Sequence, residues 1–258
     1  MLAIERKKFI KDLIIEKKSV TVAALTNQFK VTEETIRRDL KQLEEEGVLT
    51  RTYGGAYISE GVQNDVDINL REHIHVEGKK KIAKECLKHI HSGDSIFLDA
   101  STTSLMIAQL LKDIKLTVVT NSIKVVQALN DNPSVNVVVI GGQFSRSSQS
   151  NLGRLSEKTL EYYYFDIAFI SCRSVSMEHG ITDSNELQAG IRRIAADHGN
   201  TVFLVADYTK FDKTSFIHIS EFDQIQHIVV DGQLSEEWKE FLRVKNIFLH
   251  QADTPSPR

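Results

Sequence analysis

Cysteine, proline and tryptophan are scarce in this chain of 258 residues, at two, three and one copies. Cys86 and Cys172 stand far apart and in no metal-ligand spacing, so neither a disulfide framework nor a zinc site is expected. Both read as small buried or half-buried side chains. With so little proline, 41% hydrophobic and 26% charged residues, the chain is an ordinary globular one able to bury a sizeable core, not a disordered one. Long apolar runs are missing as well. The start MLAIERKKFIKDLIIEKK carries a charge every few residues, unlike a signal peptide, and nothing downstream approaches the roughly 20 apolar residues of a membrane span. A cytoplasmic location without a membrane partner is expected. Nor does one sign of charge dominate: a net charge of −3 argues against a uniformly basic nucleic-acid binder. The charge is uneven, however, with eleven Lys/Arg against nine Asp/Glu in residues 1–56 and 21 against 26 in the remainder.

The length suits two domains of unequal size, since one domain usually takes about 100 to 200 residues. Along residues 2–17, Phe9, Ile10, Leu13 and Ile14 recur at helical spacing among lysines, which predicts an amphipathic helix. Thr21 is a good N-cap for a second helix reaching Phe29, with Val22, Leu25 and Phe29 inward. After a turn at Lys30-Val31, Thr32 caps a third helix. Its first turn carries Glu33 and Glu34, where the helix dipole favours acids, and Ile36, Leu40 and Leu43 form its buried stripe. Gly47 ends it, and VLTRTYGGAY then reads as a two-stranded hairpin around Gly54-Gly55. This order of elements is that of a winged helix-turn-helix domain over residues 3–58, with the helix-turn-helix motif at about 20–39. Residues 59–72 are polar and aperiodic, hence a linker, and a helix is expected from Arg71 to His91. Residues 73–251 then alternate helices with the apolar segments SIFLD, LTVVT, VNVVVIGG, FDIAFIS, TVFLVAD, HIVVD and NIFLH. Strands apolar throughout imply a mostly parallel sheet covered on both faces, so the fold class is α/β behind a small DNA-binding domain. The tail ADTPSPR is expected to fray.

With Ile36 inward on a helix turning about 100° per residue, Arg37 points about 100°, Lys41 about 140° and Arg38 about 200° away. Solvation alone accounts for an outward arginine pair. Position adds weight, because the helix after the turn is the one that enters the major groove in helix-turn-helix proteins. Arginine can pair with guanine or clamp a phosphate, and Thr35 can reach a phosphate or a thymine methyl. Thr21, Thr32, Glu34 and Lys41 share this region, and Arg51 and Tyr53, with Gly54 and Gly55 at the hairpin tip, are placed to touch the neighbouring DNA backbone. Asp39 either takes a direct role or pairs with an Arg or Lys and steers it.

The stretch VTEETIRRDLKQLEEEGVLTRTYGGA, residues 31–56, resembles the N-terminal signature of the DeoR family of bacterial transcriptional regulators. Matches fall at Val31, Thr35, Ile36, Arg37, Arg38, Asp39, Leu40, Leu43, Gly47, Leu49, Arg51, Gly54, Gly55 and Ala56. Thr32 stands in place of the usual Ser and preserves the cap; Tyr53 stands in place of the usual His. The resemblance implies binding to double-stranded operator DNA, most often as a repressor, and two half-sites favour a homodimer or homotetramer.

In an open parallel sheet, ligands bind beyond the carboxyl ends of the strands. Asp99, Ser101, Thr102, Thr103, Asn121, Ser122, Gly141, Gly142 and Asp207 gather there, with Lys210 three residues on. Hydroxyls and free N–H groups at a helix start suit a phosphate, while Asp99 and Asp207 can accept hydrogen bonds from sugar hydroxyls. Each position also has a purely structural reading as turn former or cap. The arrangement Lys79-x-x-Ile82-Ala83, GDSIFLDASTT, TVVTNS, VIGG, Gly153, FDIAFI, HGIT, Glu186 and ADYTKF is similar to the DeoR effector domain, whose fold is that of ribose-5-phosphate-type isomerases. That resemblance implies a phosphorylated sugar intermediate as effector. Ser101 departs from the family's usual Gly, and SCRSVS from a G-A-D-G-like stretch, which introduces Arg173 either as a phosphate clamp or as an ion-pair partner. The competing function is a sugar-phosphate isomerase with an accessory domain, using Asp99, Glu186, Asp207 and Lys210 for acid/base work. No cofactor is expected. Nor is a metal: the pairs His73/His75 and His89/His91 diverge by about 200° if helical.

Overall fold

The computed structural model describes residues 2–58, 67–112 and 114–252, which fall into two compact units dividing between Ile74 and His75. The first unit runs α1 (Ala3–Lys17), β1 (Ser19–Thr21), α2 (Val22–Phe29), α3 (Glu33–Glu45), β2 (Thr50–Thr52), β3 (Gly55–Tyr57) and α4 (Ile68–Arg71). Ile10, Ile14, Leu25, Ile36, Leu40 and Leu43 bury together in one small core. Phe9 is not among them. It is 53% exposed, and the buried stripe of α1 is Arg6, Ile10 and Ile14 at strict four-residue spacing. The hairpin β2–β3 pairs Thr52 with Gly55, and β1 adds a third strand on its other side. A β-carbon on Gly55 would run into the Val20 carbonyl, so glycine permits β1 to lie so close.

The boundary between the units differs from the expected linker. Residues 59–66 lie outside the described ones. Asp67 opens a short helix, donating its backbone N–H to Ser19 Oγ, and α4 buries Ile68 and Leu70, the latter beside the wing glycines. The expected helix from Arg71 to His91 is interrupted for the same reason: its first residues belong to the wing's packing. His75 adopts φ 51° before the next helix begins.

The second unit contains α5 (Val76–Leu87), β4 (Ser95–Leu98), α6 (Thr102–Leu110), β5 (Leu116–Thr120), α7 (Ile123–Leu129) and β6 (Val135–Val139). It continues through β7 (Gln143–Ser145), β8 (Ser150–Leu152), α8 (Arg154–Leu160), β9 (Phe165–Ile170), β10 (Ser174–Ser176), β11 (Gly180–Asp183) and α9 (Glu186–Asp197). Last come β12 (Gly199–Val205), β13 (Ile217–Ser220), β14 (His227–Val230), α10 (Glu236–Val244) and β15 (Phe248–Gln251). The seven apolar segments form one sheet in the order β15-β14-β12-β9-β4-β5-β6, every neighbouring pair parallel.

Alternate residues of these strands point to opposite faces. Ala168, Ile170, Leu204 and Val230 meet residues of α9 and α10, including Ala189, Ala195 and Trp238. Ile167, Phe169, Phe203 and Val229 meet Ile82 and Cys86 of α5, Ile107 of α6 and Val125 of α7. Because all strands run one way, every carboxyl end reaches the same edge. The chain leaves β4 toward β5 and returns at β9 on its other side, so the switch of direction falls between the ends of β4 and β9. The β7–β8 hairpin and the β10-β11-β13 sheet are additions to this frame.

Candidate DNA interface and effector site

Each helix of the helix-turn-helix starts on a threonine. Thr21 Oγ1 accepts from the Ala24 N–H at 3.1 Å, and Thr32 Oγ1 accepts from the Thr35 N–H at 3.4 Å. Between them Lys30 turns the chain at φ 54°. Along α3, Glu34, Arg37, Arg38 and Lys41 are exposed, while Thr35 is half-buried. The two arginines are not equivalent. Arg37 donates to the Tyr53 carbonyl at 3.0 Å, reaches Glu33 at 3.4 Å and sits 5.9 Å above the Tyr53 ring. Arg38 has no hydrogen bond or ion pair among the described residues.

On the wing, Arg51 donates Nε to Glu44 at 2.6 Å and its backbone N–H at 2.8 Å. These bonds from Arg51 hold the Glu44 carboxyl below its usual range. Lys41 lies 3.9 Å from Glu45, one turn on. Asp39 is buried and receives Arg6 Nε at 2.6 Å and Nη2 at 3.3 Å, which ties α1 to α3. Of its two readings, the ion pair is the one the structure contains, with a partner from α1.

At the carboxyl edge of the sheet, Asp99 is fully buried at the switch between β4 and β9. Ser104 Oγ donates to its Oδ1 at 2.6 Å; Ser171 N–H, Ser171 Oγ and Arg192 Nε reach Oδ2 at 2.9, 2.6 and 2.7 Å. Arg192 also donates to Asp183. Burial by itself pushes the Asp99 carboxyl up, but Arg192 and the serine hydroxyls outweigh it and hold it low. Asp99 therefore organises the switch point, joining α6, the end of β9 and α9 through Ser104, Ser171 and Arg192.

Other polar groups at this edge remain open. The Thr102 and Thr103 hydroxyls, in the first turn of α6 behind the Ser101 cap, make no hydrogen bond among the described residues. Asn121 donates to the Asn151 carbonyl at 3.0 Å, and Gln188 donates to Ser150 at 3.1 Å. Their other ends, Asn121 Oδ1 and Gln188 Oε1, are buried without a donor. Ser122 joins the two, since it bridges β8 at Ser150. Ser122 caps α7, and Gly141 accepts Ser156 Oγ at 2.7 Å. Gly142 holds φ 150°, where a β-carbon would crowd the Leu152 carbonyl at 2.8 Å.

Beyond β12, Asp207 caps a short turn through Thr209 and lies 3.8 Å from Lys210. Its burial raises the carboxyl, yet Lys210 and the Thr209 bonds bring it below the usual range. Arg173 is half-buried with its N–H on the Thr182 carbonyl, and Glu186 is exposed at the start of α9.

Residues 6–61 match the DeoR-like helix-turn-helix domain and residues 74–232 the DeoR C terminal sensor domain. This chain belongs to the DeoR family. An uncharacterized HTH-type transcriptional regulator of Bacillus subtilis, YulB, is 38% identical over 91% of both chains. The L-fucose operon activator of Haemophilus influenzae is 32% identical, covering 94% of this chain and 97% of its own. The transcriptional repressor GlcR of Bacillus subtilis is 31% identical over 88% of each. Among solved structures, ribose 5-phosphate isomerase A of Methanocaldococcus jannaschii covers 52% of this chain and 53% of its own at 17% identity and TM-score 0.39. Membership in this family makes the chain a DNA-binding transcriptional regulator and not an enzyme. Among the described residues no helix is long and apolar enough to cross a membrane.

In this DeoR-family regulator the expected DNA-facing residues share one unit, and the expected effector residues other than Glu186, which follows β11 of the smaller sheet, come after the carboxyl ends of the main sheet's strands. What sequence reading missed are the partners: Arg6, Asp183, Ser171, Gln188 and Arg192. A buried arginine six residues into α9 looks the same in sequence as a solvated one.

Proposed function

We propose that this DeoR-family protein is a repressor of a carbohydrate operon, released from its operator when a phosphorylated sugar binds the carboxyl edge of the sheet. The observation that carries the effector reading is the pair of donor-less buried oxygens, Asn121 Oδ1 and Gln188 Oε1, at the same edge as the unclaimed hydroxyls of Thr102 and Thr103. Buried acceptors without donors cost about 1–3 kcal/mol each. Sugar hydroxyls are donors of the kind they lack. The start of α6, with its free N–H groups and two threonine hydroxyls, suits the phosphate, and Lys210 and Arg173 supply positive charge at neighbouring strand ends. The relative named for an L-fucose operon supports a sugar signal, and the relative named a repressor supports this sign of control, although the L-fucose relative is itself named an activator. A homodimer or homotetramer places two copies of α3 on two half-sites, and the effector acts by favouring an arrangement in which their spacing no longer fits.

The test is fluorescence anisotropy with the DNA upstream of the protein's own gene and of its neighbours, in the presence of a panel of sugar phosphates and the matching free sugars. Release by one phosphorylated member, with that compound recovered unchanged, is expected. A panel that leaves both DNA affinity and thermal midpoint untouched overturns the effector reading. Higher in vitro transcription on adding the protein overturns repression.

A further inference from the structure

Helix α5 places one end, at Gly78, against Asp231 on the carboxyl edge of the sheet. Its other end leads to a cluster of different chemistry. Glu85 and His89, one turn apart there, meet His250 of β15, and one ligand atom from each lies within 4.8 Å of the others. His250 faces Glu85 Oε1 with Nδ1 at 3.9 Å, while its Nε2 stands 2.9 Å from Nδ1 of His227. His89 Nε2 is buried and has no hydrogen-bond partner. Stacking explains part of this group, since the His227 ring lies parallel to Phe203 at 4.2 Å. It explains neither the orphaned nitrogen of His89 nor the carboxylate turned toward His250.

We propose that Glu85, His89 and His250 bind one divalent transition-metal ion of the zinc type. Two imidazoles and a carboxylate are borderline ligands suited to Zn(II) and its neighbours, and three protein ligands leave a fourth position for water. His227 is a positioning residue: its bond to His250 Nε2 orients the opposite nitrogen toward the ion, as partners of metal-bound histidines do. Lys88, 2.5 Å from Glu85 Oε2, fixes the carboxylate in the same sense. Ligand atoms about 2 Å from a common ion stand roughly 3.3 Å apart, so loading draws α5 and the edge strand β15 together by about 1 Å.

The experiment uses untagged full-length protein stripped with a chelator and titrated with Zn(II) and with Co(II). One ion per chain, a thermal midpoint that rises with Zn(II), and a visible Co(II) spectrum of low coordination number are expected. Glu85→Gln and His250→Asn should each abolish the Co(II) spectrum. His227→Asn should weaken binding by about 10- to 100-fold with the stoichiometry kept. His91→Asn, altering an exposed neighbour, should change nothing. Absence of a Co(II) spectrum in the wild-type protein overturns the proposal, as does binding that survives in folded Glu85→Gln and His250→Asn variants.

Discussion

Arg192 Nε lies 2.7 Å from Asp99 Oδ2, with both side chains buried and 93 positions separating them in sequence. The same guanidinium reaches Asp183, so one cation neutralises two carboxylates beneath the carboxyl edge of the sheet. Arg192→Met strands both, and removing one partner of a buried pair typically costs about 3–5 kcal/mol. The chain's single tryptophan, Trp238, is buried in the second unit, so its fluorescence follows that unit alone during urea unfolding. A large drop in its midpoint is expected, and an unchanged midpoint contradicts this role.

Acid should weaken the same unit. Asp99 and Asp207 both have folded-state pKa values held below the ordinary value, Asp99 chiefly by Arg192 against the effect of burial. Such groups contribute stability that is present above the unfolded-state pKa, about 3.9, and lost as pH falls through the lower folded-state value. Tryptophan-detected unfolding should therefore stay level in this respect near neutrality and fall away below about pH 4. Arg192→Met should flatten that acid limb.

On the DNA side, the free Arg38 and the tethered Arg37 should fail differently. Arg38→Ala should cost about 1–3 kcal/mol and relax preference at one base position, as loss of a bidentate base contact does. Arg37→Ala also frees the wing, so weaker binding spread evenly over operator variants is expected. Anisotropy with a set of single-base operator changes separates the two patterns. Affinity unchanged from the wild type in both variants removes these arginines from recognition.

The cysteines should be inert in the folded protein. Cys86 is fully buried and its thiol is raised far above the usual range by that burial, while burial pushes Cys172 up to about 12. Thiolates are the reactive form, so alkylation at neutral pH should be slow for both until denaturant is added, when two thiols per chain should appear. Rapid labelling of native protein sinks this expectation.

The seven strands of the main sheet were legible because a strand buried on both faces needs no alternation: each is a short run of apolar residues between helices. Thr21 and Thr32 were legible because capping is local chemistry within four residues. What stayed hidden depends on distance. Asp39 finds Arg6, 33 positions away, and nothing near either residue announces the other. Strand β1 has only three residues, too few for any period to show. Phe9 matched a helical spacing yet lies outside, because Arg6 took the buried row opposite Asp39. The His89 and His250 grouping likewise needs the edge strand to close on α5, and no spacing within one helix predicts it.

The bond from Arg37 to the wing ends on the backbone carbonyl of residue 53, and every amino acid carries that oxygen. The side chain there, 75% exposed, adds its ring beneath the Arg37 guanidinium and beside His73, while the hydrogen bond itself does not depend on it. Tyrosine can thus stand at position 53 with the hydrogen bond from Arg37 kept. The residue at the tip of the wing can therefore change while the main-chain hold of the helix on the hairpin behind it keeps its shape.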